Sequence, residues 1–533
     1  MLKRNNKERV IEEIKENKIE NIFNIIPNLS DKVLDYNQLN FNITDMIDAL
    51  FQDKRIYASN INSSLFILSG VQSRMKQQFS ISELPLALTS KQIINKMNYN
   101  IVYDPKDSLL KEGNIRAWLG KNEQSDKDVI EFNNYFISFF NQFTKEYLEK
   151  TKVVCNTHIL DCSVLDVNLE NENYEGSTIT YKGGEKLRGY KIGVLRGVTA
   201  SGGVIEEICM SSAKSHDLSM SEDMILNSNY LKKSDYLLMD RGFLDIDIFK
   251  KLTQKGINVI IPAKKNMEIY VNAVESAKQN NDWIKHPNTK RKGQDIALIT
   301  DLESAWLSNN DKTKKPENLK LDYKINCCVI RFDKSKNKDV LTDEEIISTD
   351  GDFAYACIMT NDVYLSSSEI IRLYEMRPEI EEDFRQLKDF WGLNVYRSTK
   401  YHIISFVILV SLLGYNFYQI YKESDDGKLY IGKSLIVEEK HGLYIVKGVR
   451  TAIITQHYFG IFEQDELLDL YADLDKEKVM DFAKNKGAEL KVKAEELVDL
   501  AKEKGTPALK STAEDVLNNV IKVSKEALKK LEK

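Results

Sequence analysis

The texture of the chain changes near residue 153, and that change limits the fold more than any other feature. From there VVCNTHILDCSVLDVN, GYKIGVLRGVTA and GGVIEEICMSS are short, β-rich runs separated by Gly-containing turns. They read as three consecutive strands. A helix-like stretch, MSEDMILNSNYLKK, follows, and then the strand DYLLMD, the helix DIDIFKKLTQKG and the strand NVIIPAK. Strands paired first in hairpins and then alternating with helices predict a mixed α/β sheet.

Residues 265–350 interrupt this pattern. Lys-rich loops surround β-like pieces, DIALITDLESAWL and KINCCVIRF, which predicts an inserted β subdomain. The α/β pattern resumes with FAYACIMTN and a helical region from Ser367 to about Lys422. Residues 1–150 read as mainly helical, with Ser125 and Asp126 as capping residues for SDKDVIEFNNYFISFFNQFTKEYLEK. They show no helix-turn-helix signature, so a DNA-end-binding domain and a plain helical bundle both fit. The expected organisation is therefore 1–150, a core split into 151–264 and 351–425 around the insertion at 265–350, and a mainly helical 426–533. After about residue 462 it is dominated by Lys, Glu, Ala and Leu, is broken at Gly505-Thr506-Pro507, and is either an oligomerisation element or an extension without chemistry.

Composition removes several classes. The six cysteines form no CxxC pair, so neither a zinc ribbon nor a disulfide framework is expected, and a reducing, cytoplasmic setting fits. The N-terminal stretch lacks the apolar core of a signal peptide. Ile403 to Tyr421 is about long enough to span a bilayer, but Asn416 and Gln419 interrupt it, so the expectation is a buried core helix and no membrane partner. A net charge of −6 weighs mildly against nucleic acid, whose affinity rests on neutralising phosphates. Two locally basic stretches, Lys182 to Arg196 and Lys285 to Lys338, weigh the other way, since local patches govern binding.

Three carboxylates stand out. Asp161 lies in the middle of the apolar run HILDCSVLDV, where an acid is costly unless paired or metal-bound. Asp166 is its rival on the opposite face of the strand. Asp240 ends the apolar run YLLMD and is followed by Arg241-Gly242; strand ends in α/β sheets are where ligands bind, although a turn cap would also place an Asp there. Glu381 lies in YEMRPEIEEDFRQLK, where Tyr374, Arg377, Glu381 and Lys388 stand in a Y-x2-R-x3-E-x6-K arrangement. At about 100° per residue, Glu381 and Lys388 share a helix face, with Arg385 nearby. A carboxylate among cations and a phenol suits a phosphodiester; ordinary pairs on a solvated helix would give the same pattern. Pro378, with acids just behind it, predicts that a helix kinks or begins there.

In this order the three pieces resemble the DDE transposases of the insertion-sequence type that carry a Y-R-E-K signature, over roughly residues 153–422. Asp161 with Ser163 is similar to the first D-x-[ST] motif, and Asp240-Arg241-Gly242-Phe243 to the second, D-x-G-[FY]. Ser215-His216-Asp217 resembles a minor motif. The resemblance implies a ribonuclease-H-like mixed sheet with an inserted β subdomain, flanked by helical N- and C-terminal regions. It implies Asp161, Asp240 and Glu381 as catalytic metal ligands and Tyr374, Arg377, Arg385 and Lys388 as DNA contacts. The cofactor would be two Mg2+ ions, with Mn2+ as a substitute, suited to an all-oxygen site and held about 4 Å apart. The partners would be double-stranded DNA, both element ends and target, with a homodimer assembled on it. Trp306 would stack a flipped base during hairpin formation, or else is a core Trp, and His216 would at most assist. A host nuclease of the same fold and a domesticated, non-catalytic DNA-binding protein remain as alternatives.

Overall fold

The computed structural model describes residues 29–55, 61–76, 79–81, 84–88, 90–97, 112–122, 130–200, 202–302, 321, 323–342, 351–425 and 427. Ser125, Asp126, Trp306 and the region beyond 427 lie outside them. Asn37–Leu88 and Ile101–Leu429 form one compact unit, which contains the sheet. The other unit comprises Met1–Tyr36, Thr89–Asn100 and Tyr430–Lys533. In it Ser90 caps a short helix, Lys91–Lys96, and its hydroxyl donates to Asp35.

The described helices of the first unit that precede the sheet include α1 (Ile43–Leu50), α2 (Ser63–Met75), α3 (Glu112–Lys121) and α4 (Tyr135–Thr151). Asn134 opens α4 by accepting from the Phe136 and Ile137 amides, which satisfies two of the donors a helix start leaves bare. The chain then runs through β1 (Thr157–Val167), β2 (Thr178–Lys182), β3 (Glu185–Thr199) and β4 (Gly202–Ser212). The expected three strands are these less β2, a short strand joined to β3 by Gly183-Gly184. Both glycines have positive φ, 58° and 85°, as the tightest hairpin turns require. After them come α5 (Asp217–Asn227), β5 (Tyr236–Met239), α6 (Ile246–Gln254) and β6 (Asn258–Pro262).

The sheet order is β2-β3-β1-β5-β6-β10-β9-β8-β7, with β4 also on β3. Strands β1, β5 and β6 are mutually parallel and the remaining pairs antiparallel. This is the mixed α/β sheet of a ribonuclease-H-like fold.

The segment between 265 and 350 starts with a helix, α7 (Glu268–Asn280), that the sequence pattern did not suggest. Its strands β7 (Ile284–Lys285), β8 (Gln294–Leu302) and β9 (Ile325–Asp333) pair onward from β10 (Phe353–Thr360), so they widen the central sheet. Apolar side chains of α6, α7, β6, β9 and β10, among them Phe249, Leu252, Ala273, Val259, Val329 and Met359, form one buried core.

Two helices then lead to the site, α8 (Ser367–Tyr374) and α9 (Glu379–Asp389), and a third, α10 (Tyr401–Glu423), closes the unit. Helix α10 is long and apolar enough to cross a membrane, yet 94% of that stretch is buried inside the protein. It packs against α2, α3, α4 and β4, as expected of a core helix. Asn416, which breaks its apolar run, pairs with both backbone groups of Ile205 on β4, at 2.8 and 2.9 Å. A buried amide satisfied in this way is tolerated where a bare one is not.

Candidate active site

Parallel pairing of β1 with β5 sets Leu160 opposite Met239. The next residues, Asp161 and Asp240, are therefore neighbours on strands about 4.8 Å apart. Asp161 is anchored by the Cys162 amide, which donates to its Oδ1 at 2.8 Å. Asp240 leaves the end of β5 and accepts from the Gly242 amide at 2.5 Å, caught in the turn that its D-x-G sequence dictates.

The third acid arrives on α9. Pro378 supplies no N–H, so the α8 helix stops at Tyr374 and α9 starts at Glu379. Between them, bonds from Arg377 N to Tyr374 O, Glu379 N to Met376 O and Glu381 N to Pro378 O carry the chain round in tight i,i+3 turns. Arg377 thus stays one turn ahead of Glu381. Its Nη1 pairs with Glu381, and its Nη2 lies 2.8 Å from Asp161 Oδ2 and 3.7 Å from Asp240 Oδ2. One guanidinium therefore gathers three carboxylates from β1, the end of β5 and α9. Asp161 is 13% exposed, Asp240 38% and Glu381 59%, so the cluster opens to solvent on the Glu381 side.

Burial pushes the Asp161 carboxyl up to about 6; Arg377 pulls it down, and the charges of Asp240 and Glu381 push it up again. Burial outweighs the pull of Arg377, so Asp161 stays above the ordinary carboxylate value. Burial likewise lifts the Tyr374 phenol to about 12, so it is a hydrogen-bond donor at neutral pH, not a base.

Other expected contacts are placed differently. Lys388 is mostly buried and donates to Ser163 Oγ and Val164 O, both at 2.8 Å, pinning the C-terminal half of α9 to β1. Burial holds its pKa below the ordinary lysine value. Arg385 is exposed and pairs along its own helix with Glu382 and Asp389. Asp166, the rival acid, accepts instead from Asn394 at 3.3 Å. His216 is the N-cap residue of α5, without a side-chain capping bond.

The basic stretch Lys182 to Arg196 is largely spoken for. Arg188 meets Glu172, Lys191 meets Asp217, and Arg196 is buried against Asp383, leaving Lys182 and Lys186 exposed. In the other stretch, Arg291 reaches Glu375, in the turn just after Tyr374, at 3.3 Å, and Asn288 reaches the same carboxylate. Lys290 and Lys292 beside it are exposed.

Among the described residues no three His, Cys, Asp or Glu side chains stand at ion-holding spacing as they are, because Arg377 lies between the three acids. The donor chemistry does suit a hard dication: three carboxylates converge with oxygen donors only. Comparison with known proteins agrees on the domain. The family model described as a transposase DDE domain matches residues 157–417, a span that contains all three acids. No curated protein matches the chain.

Proposed function

With residues 157–417 belonging to the transposase DDE family, we propose that the chain cuts DNA at the ends of an insertion sequence and joins those ends to a target. In this reading Asp161, Asp240 and Glu381 hold two Mg2+ ions, or Mn2+ in their place. The observation that carries it is the gathering of three acids, distant in sequence, around the Arg377 guanidinium. That guanidinium sits where the three carboxylates converge, the place a cation would take in this reading.

When bound, the ions would activate the attacking oxygen and stabilise the leaving one. The chain's own residues supply the rest. The amides of Cys162 and Gly242 fix one oxygen of Asp161 and one of Asp240, leaving the others to face the cations. Arg377, displaced from the acids, and Tyr374 donate to phosphate oxygens; the fork of Arg377 suits two at once. Lys388 has three donors, two of them committed to β1, and offers the third. Arg385 offers charge on the open side of α9. A pair of such chains on two element ends completes the assembly.

The test uses the full chain with labelled element ends, scored separately for binding and cutting. Glu381→Gln is nearly isosteric and removes a charge that a hard dication needs. Cutting is expected to be lost and binding kept. Normal cutting by this variant would reduce Glu381 to a surface carboxylate and sink the reading. Joining of cut ends to a second duplex separates a transposase from a nuclease that only cleaves.

A further inference from the structure

The helix that carries Glu381 is gripped from behind by a buried cation with no part in the proposed chemistry. Arg196 sits on β3 opposite Ile159 of β1, two residues from Val194, the partner of Asp161. Its side chain is 2% exposed. Nε donates to Asp383 Oδ2, and Nη2 lies 3.0 Å from Glu379 Oε2. The Tyr415 hydroxyl, from α10, donates to the other Asp383 oxygen at 2.7 Å. Glu379 and Asp383 flank Glu381 by two residues on each side. At about 100° per residue they share one face of α9, nearly opposite to Glu381.

A buried ion pair of this kind adds little stability over apolar packing, but it fixes geometry, and a two-pronged guanidinium fixes it better than an ammonium can. We propose that Arg196 is a positioning residue. Through Asp383 and Glu379 it sets the rotation of α9 against β1 and β3, and with it the place of the Glu381 carboxylate relative to Asp161 and Asp240. This role rests on the proposed catalytic part played by Glu381.

The experiment uses the full chain carrying Arg196→Met with Asp383→Asn, which removes the charge pair but keeps the volume and an acceptor for Tyr415. Urea unfolding, binding of labelled element ends, single-turnover cutting, and Mn2+ binding to the DNA-free protein by calorimetry are compared with the unsubstituted chain. The double variant is expected to unfold cooperatively and bind ends as well as the unsubstituted chain. Its cutting rate and Mn2+ affinity are expected to fall about 10- to 100-fold, the usual loss when the support of a metal ligand is removed. Arg196→Lys is expected to recover only part of both, since one ammonium cannot span both carboxylates. Cutting and Mn2+ binding unchanged in a folded double variant would overturn the positioning role alone. If the double variant does not fold, Arg196→Lys decides by the same two measurements. An unsubstituted chain that neither cuts ends nor binds Mn2+ would overturn the catalytic reading and this one together.

Discussion

Asp161 is held in a setting that disfavours its charge. Its carboxyl is raised to about 6 by burial, against an ordinary value of 3.8. A group raised in the folded state stabilises the fold fully below its unfolded pKa and loses that contribution as pH climbs through the folded value. The metal-free protein should therefore lose stability between about pH 4 and pH 6, by roughly 3 kcal/mol from this residue. Asp161→Asn should remove the loss: in EDTA the variant should be more stable than the unsubstituted chain at pH 8, with the gap closing near pH 4. Urea midpoints across that range check it, and an equal pH slope in both proteins would refute it. Divalent affinity should run the other way, rising through pH 6 as the proton leaves. Asp161 and Asp240 were legible in the sequence because an acid in an apolar run is conspicuous. Arg196, in GYKIGVLRGVTA, carried the same signal with the opposite charge, but its partner lies 187 residues away and nothing local names it. Arg377 was legible as a cation beside the acid on its helix; its grip on three acids was not, because it depends on the register of β1 with β5.

Among the elements, α9 matters most, and it is held at three places: by Arg196, by Lys388 on β1, and by Tyr415 on α10. Pro378 announced its start, since a residue without an N–H suits the first turn of a helix. The join of β7, β8 and β9 to β10 could not be read, because pairing between strands leaves no mark in either strand alone. Helix α10 sits close to its neighbours. A Cβ added at Gly414 would lie 2.9 Å from the Trp391 ring, and one at Gly70 of α2 would lie 2.8 Å from a Val410 methyl. Trp391 is buried and cannot step aside. Gly414→Val should cost about 1–3 kcal/mol, as overpacking of a filled core does, read from urea unfolding. It should also slow cutting, because the adjacent Tyr415 backs Asp383. A variant of unchanged stability would mean that α10 can shift freely.

For the molecule as a whole, the net charge of −6 says little about DNA, since several described cations are paired internally and local charge governs binding. Lys290 and Lys292 lie in the loop that Arg291 ties to the turn after Tyr374. Replacing Lys290, Arg291 and Lys292 with Ala should weaken binding of element ends. It should also lower the slope of log affinity against log salt by about 0.9 for each phosphate that is no longer neutralised. Binding measured from low to moderate salt tests this, and an unchanged slope would place DNA elsewhere. The burial of α10 has a further consequence, in the order of synthesis. Strands β1 and β5 leave the ribosome long before residues 401–423, and until then α2, α4 and β4 present an uncovered apolar trough while α9 has no Tyr415 behind it. The nascent chain holds two of its three acids early, but one of the supports of the third, Tyr415 on α10, comes from the last described helix to emerge. A chain ended before residue 401 is thus expected to be left sticky, with Asp383 lacking its Tyr415 support, so the arrangement on which the proposed cutting depends would come only to a chain extended through α10.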